Sequence, residues 1–111
     1  MDRTEQYRVA VRQVLQEYAQ YKPSFGKVDV ELVFDTESDR YLLVNAGWRE
    51  HRRVYGSVIH IDVKDGKIWI QHDGTESGVA NDLVELGIPK QDIILAYYPE
   101  YHRQHTDFGV N

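Results

Sequence analysis

Asp65-Gly66, set between VYGSVIHIDVK and KIWIQHDGTE, constrains this chain more than any other pair of residues. A two-residue connection between antiparallel strands favours a type I′ turn. Both turn residues then need φ > 0, which Asp-Gly accepts at low cost. The turn sets a register. Lys64 lies opposite Lys67, Val63 opposite Ile68, Asp62 opposite Trp69, Ile61 opposite Ile70, His60 opposite Gln71 and Ile59 opposite His72. Strand side chains alternate between faces. Ile59, Ile61, Val63, Ile68 and Ile70 therefore share one apolar face, with His72 at its margin. His60, Asp62, Trp69 and Gln71 share the other. A Trp among polar groups on a second face marks a surface that is half covered, or covered by a partner.

The remaining segments build around this hairpin. Residues from Asp2 to Tyr21 have a helical pattern, with Asp2 and Glu5 as an N-cap and returning carboxylate. Tyr7, Val11, Val14, Leu15, Tyr18 and Tyr21 form its apolar stripe, and Pro23, Ser24 and Gly26 end it. VDVELVF alternates, so Val28, Val30, Leu32 and Phe34 point one way and Asp29 and Glu31 the other. Asp35 to Asp39 is a turn, Tyr41 to Trp48 a returning strand, and Arg49 to Arg53 a polar connection or strand end. Ser77 is placed to cap a short helix carrying Val79, Leu83, Val84 and Leu86, and Gly87-Ile88-Pro89 stops it. Asp92 to Tyr98 reads as a further strand, buried on both faces at its centre. The expected fold is α+β in a single domain, residues 1–111. A long N-terminal helix packs on a mostly antiparallel β-meander of about four strands, followed by a short helix and a further strand.

Composition removes whole classes of function. The chain has no cysteine, which excludes disulfides, thiolate metal sites and cysteine nucleophiles. No apolar run approaches a membrane span, and MDRTEQYR is too polar for a signal peptide, so a cytoplasmic protein with no membrane contact is expected. The net charge of −5 argues against direct binding of nucleic acid by the chain alone, since phosphate neutralisation needs a basic surface.

Candidate chemistry is sparse. His60 and Asp62 share a strand face, with Gln71 across, but two ligand types on one strand make no metal site. His72 and Asp73 are adjacent and so point to opposite faces. Asp73-Gly74-Thr75 fits a turn with helix-entry hydrogen bonds. His102 and His105 could share a helical face, and a solvated tail is the plainer reading. No phosphate loop, nucleophile elbow or placed acid–base pair is present. No catalytic residue, metal ligand or cofactor is therefore assigned. Two clusters suit a protein partner instead. Trp48, Arg49, His51, Arg52 and Arg53 combine aromatic and basic groups in or beside a β-connection. Tyr97, Tyr98 and Tyr101 form an aromatic run that suits a patch for another protein, and Trp69 on the polar sheet face is a separate candidate contact.

The run GWREHRRVYGSVIHIDVKDGKIWIQHDGTE, then GVANDLVELGIPKQDIILAYYP and TDFGV, closely resembles the XisI family. These are cyanobacterial proteins named as controlling factors for excision of the fdxN element. The resemblance covers nearly the whole chain and is densest from Gly47 to Pro99. It departs mildly at Ala96-Tyr97-Tyr98, where a glycine and another aromatic or His are common, and at Gly109-Val110-Asn111, where Ala is frequent. It implies a non-catalytic accessory factor for excision of a DNA element, and brings no catalytic residues with it. The implied companions are a XisH-like protein that resembles nucleases and a site-specific recombinase; the exposed aromatic residues add a second copy of the chain as a further expected partner. Two other classes stay open: a nucleic-acid binder using Arg49, Arg52 and Arg53, and a small enzyme using His60, Asp62 and His72.

Overall fold

The computed structural model describes residues 2–22 and 26–111. Helix α1 (Arg3–Tyr18) starts at Asp2, whose carboxylate accepts the Glu5 N–H at 2.8 Å. Glu5 turns its own carboxylate to Arg8 and Arg12. The helix stops short of the expected Tyr21: the Ala19 N–H makes the last bond four residues back, to Leu15, and the Gln20 and Tyr21 N–H groups donate to Glu17 and Tyr18, three residues back. Tyr18 is held by its hydroxyl to Ser77 and Asp82, while Tyr21 is exposed. Pro23 and Ser24, expected as stop signals, lie outside the described residues.

Strands β1 (Lys27–Asp35), β2 (Arg40–Arg49), β3 (Arg52–Lys64) and β4 (Lys67–Asp73) form an antiparallel meander. Helix α2 (Val79–Glu85) then crosses over the sheet, so the short β5 (Ile93–Leu95) joins parallel to β4. The sheet order is β1-β2-β3-β4-β5. A one-turn helix, α3 (Glu100–Arg103), lies in the C-terminal segment. The fold is the expected α+β arrangement. The last strand is shorter than Asp92 to Tyr98, because Lys90–Asp92 is a 3-10 turn and Ala96 to Tyr98 turn away.

Asp65 and Gly66 both take positive φ, 55° and 72°, and the four pairs nearest the turn hold the expected register. Tyr7, Val11, Val14 and Leu15 of α1, and Val79 and Leu83 of α2, pack on the inner face. Ile59, Ile61, Ile68 and Ile70 are wholly buried there. Each contributes about 1.5–3 kcal/mol by leaving water, and a one-residue slip of either strand would turn its two isoleucines to the other face, so this face holds the register.

Beyond Ile61 and Ile70 the register departs from expectation. His60 pairs with His72 and Ile59 with Asp73, which leaves Gln71 as a bulged extra residue. The bulge rotates the end of β4. His72 is exposed rather than at the apolar margin, and Asp73 turns inward to meet the start of α2. A second bulge lies at Val58, since Leu43 pairs with Ile59 and Val44 with Ser57. Ser77 does not cap α2. The Val79 N–H donates to Asp73 Oδ2 and the Gly78 N–H to Thr75 Oγ1, as expected for the Asp73-Gly74-Thr75 turn. The helix closes as expected, with Gly87 and Ile88 donating to the Val84 and Leu83 carbonyls.

Asp39 ties α1 to the sheet. It accepts two hydrogen bonds from Arg8, at 2.8 and 3.0 Å, and one from the Tyr41 hydroxyl at 2.9 Å. The Arg8 guanidinium holds its carboxyl below the usual carboxylate range. A carboxyl with a depressed folded pKa stabilises fully above its unfolded value of about 4, and loses that contribution as pH falls through the folded value. Asp39→Asn should therefore be less stable than the unmodified chain at pH 7. The gap should narrow below about pH 4 in parallel denaturation series. A gap that stays constant down to about pH 2 would remove the proposed linkage.

The outer face of the sheet is in two halves. Over β4 and β5 the C-terminal segment covers it. Ile94, paired with Trp69, is wholly buried beneath Gly109, whose N–H bonds the Lys90 and Ile93 carbonyls. Over β1, β2 and the first half of β3, no described element covers it, and Val33, Trp48 and Tyr55 stand 46%, 49% and 72% exposed.

Candidate functional site

The uncovered half carries the first residue cluster. β2 and β3 close through the two-residue turn Glu50-His51, with Arg49 opposite Arg52 and Trp48 opposite Arg53. Glu50 takes φ 56°, which tightens the turn. The stretch expected as a polar connection or strand end is thus two strand ends joined by a two-residue turn. Alternation brings Trp48, Arg53 and Tyr55 to the same outer face. The Arg53 guanidinium lies 5.4 Å from the Trp48 ring and 5.9 Å from the Tyr55 ring, and Nη1 donates to the Gly47 carbonyl at 3.4 Å. Tyr55 was missed as a site residue, although its position two after Arg53 on an alternating strand was the available signal. Arg49, Glu50, His51 and Arg52 line an open hollow at the tip. Among the described residues no ion pair involves His51, Arg52 or Arg53.

The second cluster, His60, Asp62 and Gln71, is closed on itself. His60 Nε2 lies 2.9 Å from Asp62 Oδ1, and the Gln71 amide donates to Asp62 Oδ2 at 3.2 Å. His72 is opposite His60 in register but exposed, and Asp73 beside it is committed to α2. Among the described residues, no three His, Cys, Asp or Glu side chains converge as metal ligands, and no helix is long and apolar enough to cross a membrane.

Trp69 has its occupant within the chain. Its indole N–H donates to the Lys64 carbonyl, with the Lys64 ammonium 4.4 Å and the Arg103 guanidinium 5.8 Å from its ring. Arg103 also donates to the carbonyls of Tyr98, Val110 and Ala96. One α3 side chain thus pins the C-terminal segment to the sheet. Sequence reasoning missed Arg103, because its partners are backbone carbonyls that only the path of the chain brings together.

The aromatic run is divided. Tyr98 stacks on His102 at 4.2 Å, with the rings parallel, and Tyr97 leans on Tyr98 at 4.7 Å. Burial raises the Tyr97 pKa. Tyr101 is 72% exposed and turned outward. His102 lies in α3 and His105 beyond its end, so they form no helical pair along that helix.

Comparison with known proteins gives one consistent family. The sequence model described as XisI protein matches residues 1–110. A crystal structure of a XisI-like protein from Anabaena variabilis is 42% identical, with a TM-score of 0.91, and the match covers 97% of this chain and 99% of that one. A crystal structure of fdxN element excision controlling factor XisI from Anabaena variabilis is 29% identical, with a TM-score of 0.86, covering 99% and 100%. No curated protein matches.

Proposed function

The chain belongs to the XisI protein family, and on that premise we propose that it is a non-catalytic controlling factor for excision of a DNA element, acting through a protein partner. The partner of choice is a XisH-like, nuclease-resembling protein. The observation that carries the reading is the Trp48–Arg53 stack at the ribbon tip, half exposed on an uncovered sheet face, with His51 and Arg52 beside it. Exposed Trp and Arg are the residues that dominate protein interfaces when a partner desolvates them.

The non-catalytic part has separate support. His60, Asp62 and Gln71 satisfy one another, and the Asp73 oxygens are taken by Thr75 and Val79. The Asp73 carboxylate is therefore occupied in holding the fold, and among the described residues no third acidic or histidine group joins the His60–Asp62 pair. Direct binding of nucleic acid is the second reading, favoured by the same basic tip. The chain's charge of −5, with Asp29 and Glu31 on the outer face of the neighbouring strand, weighs against it.

The test is affinity for a co-encoded XisH-like protein. Trp48→Ala is expected to weaken it by about 2 kcal/mol, some thirtyfold. Arg52→Glu should weaken it while leaving thermal stability nearly unchanged, because an exposed charge contributes little to folding. Affinity untouched by both variants, or tight salt-sensitive binding of duplex DNA by the chain alone, would favour the nucleic-acid reading.

A further inference from the structure

The sheet has three places where backbone hydrogen-bonding groups could meet another strand, and they are not alike. The free edge of β1 carries Lys27, Asp29, Glu31 and Asp35, and charged side chains are a common guard against edge pairing. β5 is three residues long, and Gly109 bridges to it from the C-terminal segment. The third is the first half of β3. β4 pairs only with Ile59 to Lys64, so Arg52 to Ser57 have β2 on one side and, among the described residues, no strand on the other. Among the described residues the one further backbone bond there is from the Gly74 N–H to the Val58 carbonyl. The segment between Arg53 and Val58, Val54-Tyr55-Gly56-Ser57, has no charge and no proline. A Cβ added at Gly56 would meet nothing within 4 Å.

We propose that this edge of β3 is a strand-addition site, and that its occupant is the same segment of a second copy, paired antiparallel about a two-fold axis at Tyr55. The free run ends at Ser57, because the Gly74 N–H already takes the Val58 carbonyl, and the part of it from Arg53 to Ser57 is centred on Tyr55. In that register Tyr55 faces the partner copy's Tyr55, Val54 faces Gly56 and Arg53 faces Ser57. No like charges are opposed, and an aromatic pair lies at the axis. The two Arg53 side chains end up four residues apart along the strand, about 13 Å, roughly beyond the screening length in physiological salt. Pairing by any other shift either brings the arginines together or runs into the stretch of β3 that β4 already occupies. The bulge at Val58 marks the end of the available ladder. This inference does not depend on the XisH-like partner, because self-association is read with no partner present.

The chain contains no cysteine, which makes the test clean. Tyr55→Cys should form a covalent dimer under mild oxidation, since paired residues at the axis sit within disulfide reach. Val33→Cys, on the charge-guarded β1, should not. In sedimentation equilibrium the unmodified full chain should run at twice its 13.0 kDa mass. Tyr55→Asp places two like charges opposite each other, and should weaken association at least about tenfold with the far-ultraviolet dichroism unchanged. A chain that is monomeric at every concentration overturns the proposal and leaves the edge to a strand from another protein. So does a dimer that survives Tyr55→Asp and cross-links through Val33→Cys instead.

Discussion

Gly47→Val is expected to destabilise the fold by about 3 kcal/mol or more, while Gly56→Ala should stay within about 1 kcal/mol of the unmodified chain. Both glycines lie in the β2–β3 ribbon, so propensity alone would treat them alike. Their surroundings differ. A Cβ at Gly47 would stand 2.1 Å from the Lys27 carbonyl oxygen, 2.6 Å from Val28 Cα and 2.9 Å from Lys27 C. These are backbone atoms, and no rotamer change relieves them. β1 would have to leave β2 at the end where Val28 is buried and Val28 pairs with Gly47. At Gly56 the same atom meets nothing. Urea denaturation midpoints of the two variants decide the matter, and equal midpoints would mean that β1 does not approach β2 as closely as described.

Where the sequence predicted well, a local rule and a long-range demand agreed. Asp65-Gly66 needed φ > 0, and the apolar alternation on either side asked for the register that such a turn creates. Gly87-Ile88 stopped α2 because the stop is made entirely from residues within reach of each other. The misses have one character. The helix-entry hydrogen bonds of Asp73-Gly74-Thr75 are legible in the sequence, but nothing in QHD marks Gln71 as the extra residue that turns Asp73 towards α2. The cover over Trp69 was legible as cover, but not as Arg103 of the chain's own tail, because α3 is a single turn with no periodicity to read. Tyr55 was legible in principle. It lies one strand repeat beyond Arg53 on the same face, outside the run of charged residues that marks the cluster.

The bulge leads to the second large effect. Asp73→Ala is expected to cost about 2–3 kcal/mol, and His72→Ala less than about 0.5 kcal/mol. Asp73 Oδ1 accepts the Thr75 N–H at 2.9 Å and the Thr75 hydroxyl at 2.6 Å, and Oδ2 accepts the Val79 N–H at 2.9 Å. Gly78, at the N-cap position of α2, has no side chain to offer, so Asp73 does from the end of β4 what a capping residue normally does from within the helix. Removing it leaves the first turn of α2 short of an acceptor, and loosens Val79, Ala80 and Leu83, which are buried against the sheet. α2 also carries the crossover that makes β5 parallel, so the loss should spread to Ile93 and Leu95. Exposed His72 holds none of this. Hydrogen exchange at α2 and β5 amides, read beside the denaturation midpoint, checks it. Had the adjacent His-Asp been an acid–base pair, both substitutions would leave stability intact and abolish an activity. An Asp73→Ala variant as stable as the unmodified chain would return that reading to consideration.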